Sequence, residues 1–289
     1  MSSDFNLPNG FARQAGSLFC EDTQVSDLAD QFGTPLYIYS QTAITEAFLT
    51  WKQAFGDARH LVCYAVKANS NIAILRLLAS LGSGFDIVSG GELERVLTAG
   101  GDAAKVVFSG VGKSPAEIRR ALEVGIRCFN VESSSELYLI EKIASERGEI
   151  ARISIRINPD VDAKTHPYIS TGLKENKFGV NAQQALELYR YAQGASHLQP
   201  VGVDCHIGSQ LTEVAPFVES VQHLRDLVLQ LRKSGINIEH IDIGGGLGIQ
   251  YSDEAIPSPS ELISAVRAEL DPLDAELMIE PGRSIVGNA

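Results

Sequence analysis

Four short stretches hold side chains that could do chemistry, each at the end of an apolar run. HLVCYAVKANS (60–70) ends on Lys67, and DCHIGSQ carries His206 and Ser209. IDIGGGLG carries Gly244, Gly245 and Gly246, and IEPGR carries Glu280, Pro281, Gly282 and Arg283. A lysine at the tip of a buried strand is a solvated strand end or a Schiff-base lysine, and the first is the commoner case. Three successive glycines let backbone N–H groups approach an anion without side-chain interference. A tight turn needs only one glycine, so three favour a phosphate, with Gly282 and Arg283 adding donors and charge.

Glu280 follows Leu277-Met278-Ile279 and directly precedes Pro281, which disfavours a surface glutamate. A carboxylate at a pyridine nitrogen keeps the ring protonated and makes it an electron sink, which suits decarboxylation. His206 could lie neutral against such a ring, although a lone histidine at a strand end is more often structural. Arg156, in SIRINPD, could pair with Glu280 or meet a phenolic oxygen of the cofactor, or form a structural ion pair. Asp86, in GFDIVSGGEL, could orient Lys67 or cap the next helix.

The elements that must carry these residues alternate. Strands are predicted at His60–Val66, Phe85–Val88, Val106–Phe108, Cys128–Val131, Ile153–Ile157, Val201–His206, Ile241–Ile243 and Leu277–Ile279. Amphipathic stretches lie between them at Ile72–Leu81, Glu92–Ala99, Pro115–Glu123, Ser135–Glu146, Ala182–Ala195, Pro216–Lys233 and Pro259–Leu270. Eight such repeats predict a closed α/β (β/α)8 barrel, whose sites form at the C-terminal strand ends. Ser70 is read as the N-cap of the helix after Lys67. Upstream, residues 1–15 read as a loose polar arm. A short strand in GSLFC, a helix near Val25–Gln31, a strand near Leu36–Tyr39 and a helix near Thr42–Phe55 follow. Two long loops, Asp160–Lys177 with His166 and Gly248–Pro259, have the length of lids or binding loops. His60 and His240 are each expected just before a strand, away from the chemistry. No eighth helix follows the last strand, so the reading expects bare apolar strand surface and a longer protein or a partner to cover it.

Bulk composition narrows the class. A net charge of -12 over 289 residues, with no basic run, argues against nucleic acid and for a soluble, cytoplasmic protein. No apolar run is long enough to span a bilayer. Cys20, Cys63, Cys128 and Cys205 show no metal or disulfide spacing, and the last three read as small core hydrophobes.

Taken in order, YAVKAN, FDIVSGGEL, HPYISTGLKENKFG, HIGSQ, IDIGGGLG and EPGRSIVGNA resemble the fold-type III pyridoxal-phosphate decarboxylases. The glycine run and EPGR are shared with ornithine and arginine decarboxylases. HPYISTGLKENKFG and HIGSQ look particular to the branch acting on meso-2,6-diaminopimelate, which yields L-lysine and carbon dioxide. The resemblance implies pyridoxal 5'-phosphate as cofactor and Lys67 as its Schiff-base lysine. His206 would stack on the ring and Glu280 would meet its nitrogen. Ser209, Gly244–Gly246 and Arg283 would surround the phosphate, with Arg283 also touching substrate. It implies a barrel over residues 41–289, with residues 1–40 joining a C-terminal β domain and a homodimer when full length. That domain would bring a cysteine in a CES-like motif, which none of the four cysteines occupies. Alternatives are a relative acting on ornithine or arginine, or a barrel that holds the cofactor without turnover. A methyltransferase glycine loop in IDIGGGLG is disfavoured because too little chain follows it.

Overall fold

Runs such as VCYAV and SIRI become strands because both their faces are covered, as parallel strands require. The computed structural model describes residues 7–159, 161 and 178–289. The chain opens with β1 (Phe11–Gln14), β2 (Ser17–Cys20) and β3 (Thr23–Gln24), an antiparallel sheet, then α1 (Val25–Phe32). The expected loose arm is therefore partly ordered. Ala15 and Gly16 both take positive φ (49° and 86°), which closes a two-residue hairpin onto β2. The strand expected at Leu36–Tyr39 is absent. Half-buried Leu36 and Ile38 alternate with exposed Tyr37 and Tyr39, the pattern that suggested a strand, but no ladder partner lies beside them among the described residues.

α2 (Gln41–Ala54) leads into the barrel. Its strands and helices alternate as β4 (His60–Ala65), α3 (Ile72–Ser80), β5 (Gly84–Ile87), α4 (Gly90–Thr98), β6 (Val106–Phe108), α5 (Pro115–Val124), β7 (Cys128–Val131) and α6 (Ser134–Arg147). They continue as β8 (Ala151–Ile157), α7 (Ala182–Gly194), β9 (Leu198–Cys205), α8 (Ala215–Lys233), β10 (His240–Asp242), α9 (Pro259–Leu270), β11 (Glu276–Ile279) and the single turn α10 (Arg283–Val286). β4 to β11 pair in chain order, all parallel, and β11 closes on β4. The eight expected strands are all present within a few residues of their predicted ends. Helix starts follow their signals: Ser114 with Glu117 and Ser258 with Glu261 form capping boxes, each with proline at the first helical position. The cap of α3 is Asn71 rather than Ser70, its side chain accepting from Ala73 N at 2.9 Å.

The outer strand surface is not bare. α2, from before the first barrel strand, packs against α3, α9 and α10 and fills the place of an eighth helix. Ile44, Phe48, Trp51 and Phe55 are each at most 1% exposed, and Trp51 Nε1 donates to Ser284 Oγ at 3.1 Å. The expectation failed because it looked for the covering helix only after the last strand.

Two cores result. The large one lies between strands and helices, while Leu61, Cys63, Val107, Cys128, Val201 and Met278 form a small separate cluster. That small cluster marks the barrel interior. Register then places Asp86 beside Val107, Asn130 beside Ser154, Arg156 beside Asp204, and Asp204 beside Asp242. The interior toward the C-terminal strand ends is thus polar and charged. His240 opens β10 and is fully buried, and His60 opens β4 and stacks on Phe55.

If α2 seals the barrel, Trp51→Ala lowers unfolding free energy by about 3–5 kcal/mol, and Trp51→Phe by much less. Urea denaturation of both variants checks this; a midpoint for Trp51→Ala equal to wild type would show that α2 is not part of the shell.

Candidate active site

β4 ends at Ala65, and Lys67 stands on the 3-10 turn Val66–Ala68 that carries the chain toward α3. Its Nζ donates to Asp86 Oδ2 at 2.6 Å, with the lysine side chain half exposed and the carboxylate enclosed. The two open readings of Asp86 are thereby separated: it holds Lys67, while Ser89 caps α4. Burial acts to lower the Lys67 pKa, but the carboxylates of Asp86 and Glu280 outweigh it and hold the ammonium above its ordinary value.

Lys67 shares one cavity of about 540 Å³ with His206, Ser209, Gly246, Glu280, Gly282 and Arg283. These residues are far apart in sequence and are brought together by strand ends that all point one way. His206, one residue past β9, accepts from Gly245 N–H through Nδ1 at 3.1 Å, which places its ring proton on Nε2. Burial, with Arg156 and Lys67 nearby, pushes its pKa well down, so the imidazole is neutral. Arg283 reaches Ser209 Oγ at 3.4 Å, donates to the Tyr251 hydroxyl and lies over the Tyr251 ring. Among the described residues it makes no ion pair with a carboxylate.

Other predicted residues stand behind the wall. Arg156 pairs with Glu132, not Glu280, through Nη1 to Oε1 at 3.0 Å, and its guanidinium lies 5.0 Å from the Phe178 ring centroid. Pro281 O accepts from Ala65 N, tying the last strand tip to the first. Each glycine of the triplet has its own packing reason. A Cβ on Gly244 would fall 2.4 Å from Cys205 O, one on Gly245 2.2 Å from Glu280 O, and one on Gly246 2.7 Å from Gly208 O. Close backbone approach already requires all three glycines, so their number does not by itself favour a phosphate. Loop residues 162–177, with His166 and most of HPYISTGLKENKFG, lie outside the described residues. Cys63, Cys128 and Cys205 are buried free thiols, and so is Cys20.

Several contributors were missed. Asp204 and Asp242 are enclosed beside Glu280, and one carboxylate oxygen from each of the three lies within 4.8 Å of the others. Their signal, a buried aspartate two residues before a strand-end residue in VGVDCH and HIDIGG, was readable but not used. Tyr39, Asn69 and Tyr251 line the cavity from irregular segments that carry no periodic signal. Lys113 has no exposed side-chain surface and donates to Gly110 O, Asn130 O and Glu136 Oε1 at 2.7–2.8 Å. Glu136 in turn accepts from Glu132 N at 3.0 Å, so this buried pair fixes the residue that holds Arg156.

Residues 41–287 match the family described as pyridoxal-dependent decarboxylase, pyridoxal binding domain. A diaminopimelate decarboxylase of Neisseria meningitidis serogroup A is 56% identical over 273 residues, covering 94% of this chain and 67% of that protein. The crystal structure of diaminopimelate decarboxylase from Helicobacter pylori complexed with L-lysine superposes with a TM-score of 0.88 at 48% identity, over 90% of this chain and 66% of that one. A lysine/ornithine decarboxylase from Vibrio vulnificus, complexed with putrescine, gives 0.77 at 25% identity, over 90% of this chain and 66% of that one. The chain spans about two thirds of the length of these relatives. No described helix is long and apolar enough to cross a membrane.

Removing Lys113 leaves Glu136 buried and unpaired, so Lys113→Met costs about 3–5 kcal/mol in urea denaturation. Adding Glu136→Gln recovers part of the loss. Two single variants whose costs simply add would show the pair to be uncoupled.

Proposed function

The chain belongs to the pyridoxal-dependent decarboxylases through their pyridoxal-binding domain, and on that premise we propose that it decarboxylates meso-2,6-diaminopimelate to L-lysine and carbon dioxide. The observation that carries the reading is a single cavity holding a lysine amine, a neutral imidazole, a buried carboxylate and an arginine with no described carboxylate partner. The diaminopimelate substrate is supported by identity: 56% and 48% to relatives of that name, against 25% to a lysine/ornithine decarboxylase.

The residues present fit pyridoxal phosphate. Lys67 would bind it covalently, Ser209, Gly246, Gly282 and Arg283 would hold its phosphate, and His206 and Glu280 would meet its ring. When bound, the cofactor supplies an electron sink conjugated to the substrate α-carbon. Asp86 is placed to take the proton that the Lys67 ammonium must shed before its nitrogen can act as a nucleophile. His206, its Nδ1 held by Gly245 N–H, offers a flat uncharged face at a fixed angle. Glu280 would supply negative charge to a protonated ring nitrogen, and Asn130 Nδ2 donates to its Oε1 at 3.4 Å. Arg156 is kept off Glu280 by Glu132, so the cavity floor keeps its acidity.

The same reading includes a homodimer in the cytoplasm, with residues 1–40 joining a further β domain. Phe32 and Tyr37, 65% and 85% exposed, support the last point as apolar surface awaiting a neighbour.

In full-length protein loaded with pyridoxal phosphate, a Schiff-base absorbance is expected that Lys67→Ala abolishes. Glu280→Gln should keep the absorbance and lower kcat by about 10²–10³, as loss of one preorganised electrostatic group does. A substrate panel should show diaminopimelate turned over in preference to ornithine, arginine and lysine. An unchanged spectrum in Lys67→Ala, or preferred turnover of ornithine, would overturn the assignment.

A further inference from the structure

The floor of the cavity holds more negative charge than its neighbours balance. Asp242 ends β10 with no exposed surface. Its Oδ1 accepts from Gly244 N at 2.9 Å, and its Oδ2 is buried with no donor among the described residues. Glu280 N donates to Gly244 O, so one glycine ties both acidic residues. The carboxylates of Asp242, Glu280 and Asp204 crowd within 4.8 Å. The other groups facing them are Cys63 from β4, Asp86 from β5, Asn130 from β7 with Arg127 just before it, Arg156 from β8, and Lys67 from the turn after β4. Lys67 is committed to Asp86, Arg156 to Glu132 and Arg127 to Glu276. No free cation remains among the described residues to separate Asp242 from Glu280.

We propose that Glu280 and Asp242 share one proton, carried on Glu280 in the cofactor-free protein, and that seating the pyridine ring draws this proton onto the ring nitrogen. Asp242 is thereby a positioning residue that acts through Glu280. The side on which the proton rests follows from the donors. An Asp242 anion keeps the backbone N–H of Gly244, and an O–H from Glu280 would satisfy its orphaned Oδ2. A Glu280 anion would have only the amide of Asn130 at 3.4 Å. Burial, then the neighbouring carboxylates, pushes Glu280 well above the usual carboxylate range. Burial raises Asp242 to about 7 against the opposing Gly244 hydrogen bond. In the transfer the Glu280 O–H bond breaks, its electron pair stays on the carboxylate, and the nitrogen lone pair forms the new N–H bond. The net charge of the site is unchanged, so the ring gains its proton without drawing one from water.

The inference rests on the cofactor reading above, and one experiment separates the two. Infrared spectra of the full-length protein stripped of cofactor should show, at neutral pH, a carboxylic-acid carbonyl band that shifts in heavy water. Glu280→Gln removes the band. Asp242→Asn lowers its titration midpoint by about one pH unit or more, because the neighbouring negative charge is gone. Adding pyridoxal phosphate to the wild type removes the band. No titrating band in the wild type, or a band that survives Glu280→Gln, would overturn the shared proton, and the wild-type titration decides this even if a variant fails to fold. A protein that shows the band but forms no Lys67 adduct keeps the dyad and refutes the cofactor reading instead.

Discussion

Charge inside the barrel is the constraint on which the rest depends. Asp86, Asp204, Asp242 and Glu280 are all buried at the C-terminal end of a parallel barrel. The described cations beside them are Lys67, Arg156 and Arg127, and the two arginines are already held by Glu132 and Glu276. Two like charges 4.8 Å apart repel by roughly 3 kcal/mol even at an effective dielectric of about 20. An interior built this way is stable only if protons or ligands supply positive charge and an outer shell supplies the free energy. The shell is the ring of helices, closed by α2, and almost all the large apolar side chains lie there. Division of labour between the two layers lets the inner one be acidic.

The backbone delivers these groups by register. In a closed parallel sheet, residues in step share a face, so Arg156 lies beside Asp204, and Asp204 beside Asp242, without any local sequence relation. The glycines then set how close the strand ends may come. Gly244, at φ 67°, passes against Cys205 and the His206 ring, and Gly245 passes against the Glu280 carbonyl. That approach puts Gly244 N–H on Asp242 and Gly245 N–H on His206. Packing and electrostatics are the same event here: the close contact that excludes a Cβ also supplies the two backbone donors.

Strand order and the rim residues were legible because a parallel barrel writes them as a repeat. Each apolar run was bounded by a cap or turn residue, and each tip carried its polar group. What was not legible is long-range. Nothing in the periodicity of AITEAFLTWKQA says that α2 closes the ring, because that depends on docking against a turn far along the chain, as the Trp51–Ser284 bond across 233 residues records. Arg156 had Glu280, a cofactor oxygen or an unnamed ion-pair partner open to it, and only three-dimensional placement identifies Glu132. Lys113 stands just before a helix that starts on proline and carries no periodic signal, yet it is enclosed by two carbonyls and Glu136. The cap of α3 slipped by one residue because Ser70 and Asn71 are chemically near-equivalent caps.

The cavity has polarity as well as shape. Its floor is acidic, with Glu280 6% exposed and backed by Asp242, and Arg283 lies toward the open side, over the exposed ring of Tyr251. Lys67 stands between, its side chain half exposed while its ammonium rests on an enclosed carboxylate. A ligand with a basic ring nitrogen at one end and an anionic group at the other is aligned by this field before any covalent bond forms. Reversing it would set an anion against buried carboxylates and leave Arg283 without a counterion, both costly in a low-dielectric site. Orientation is thus a property of the fold's charge layout, and the lysine need only be within reach of the middle of a ligand already turned the right way.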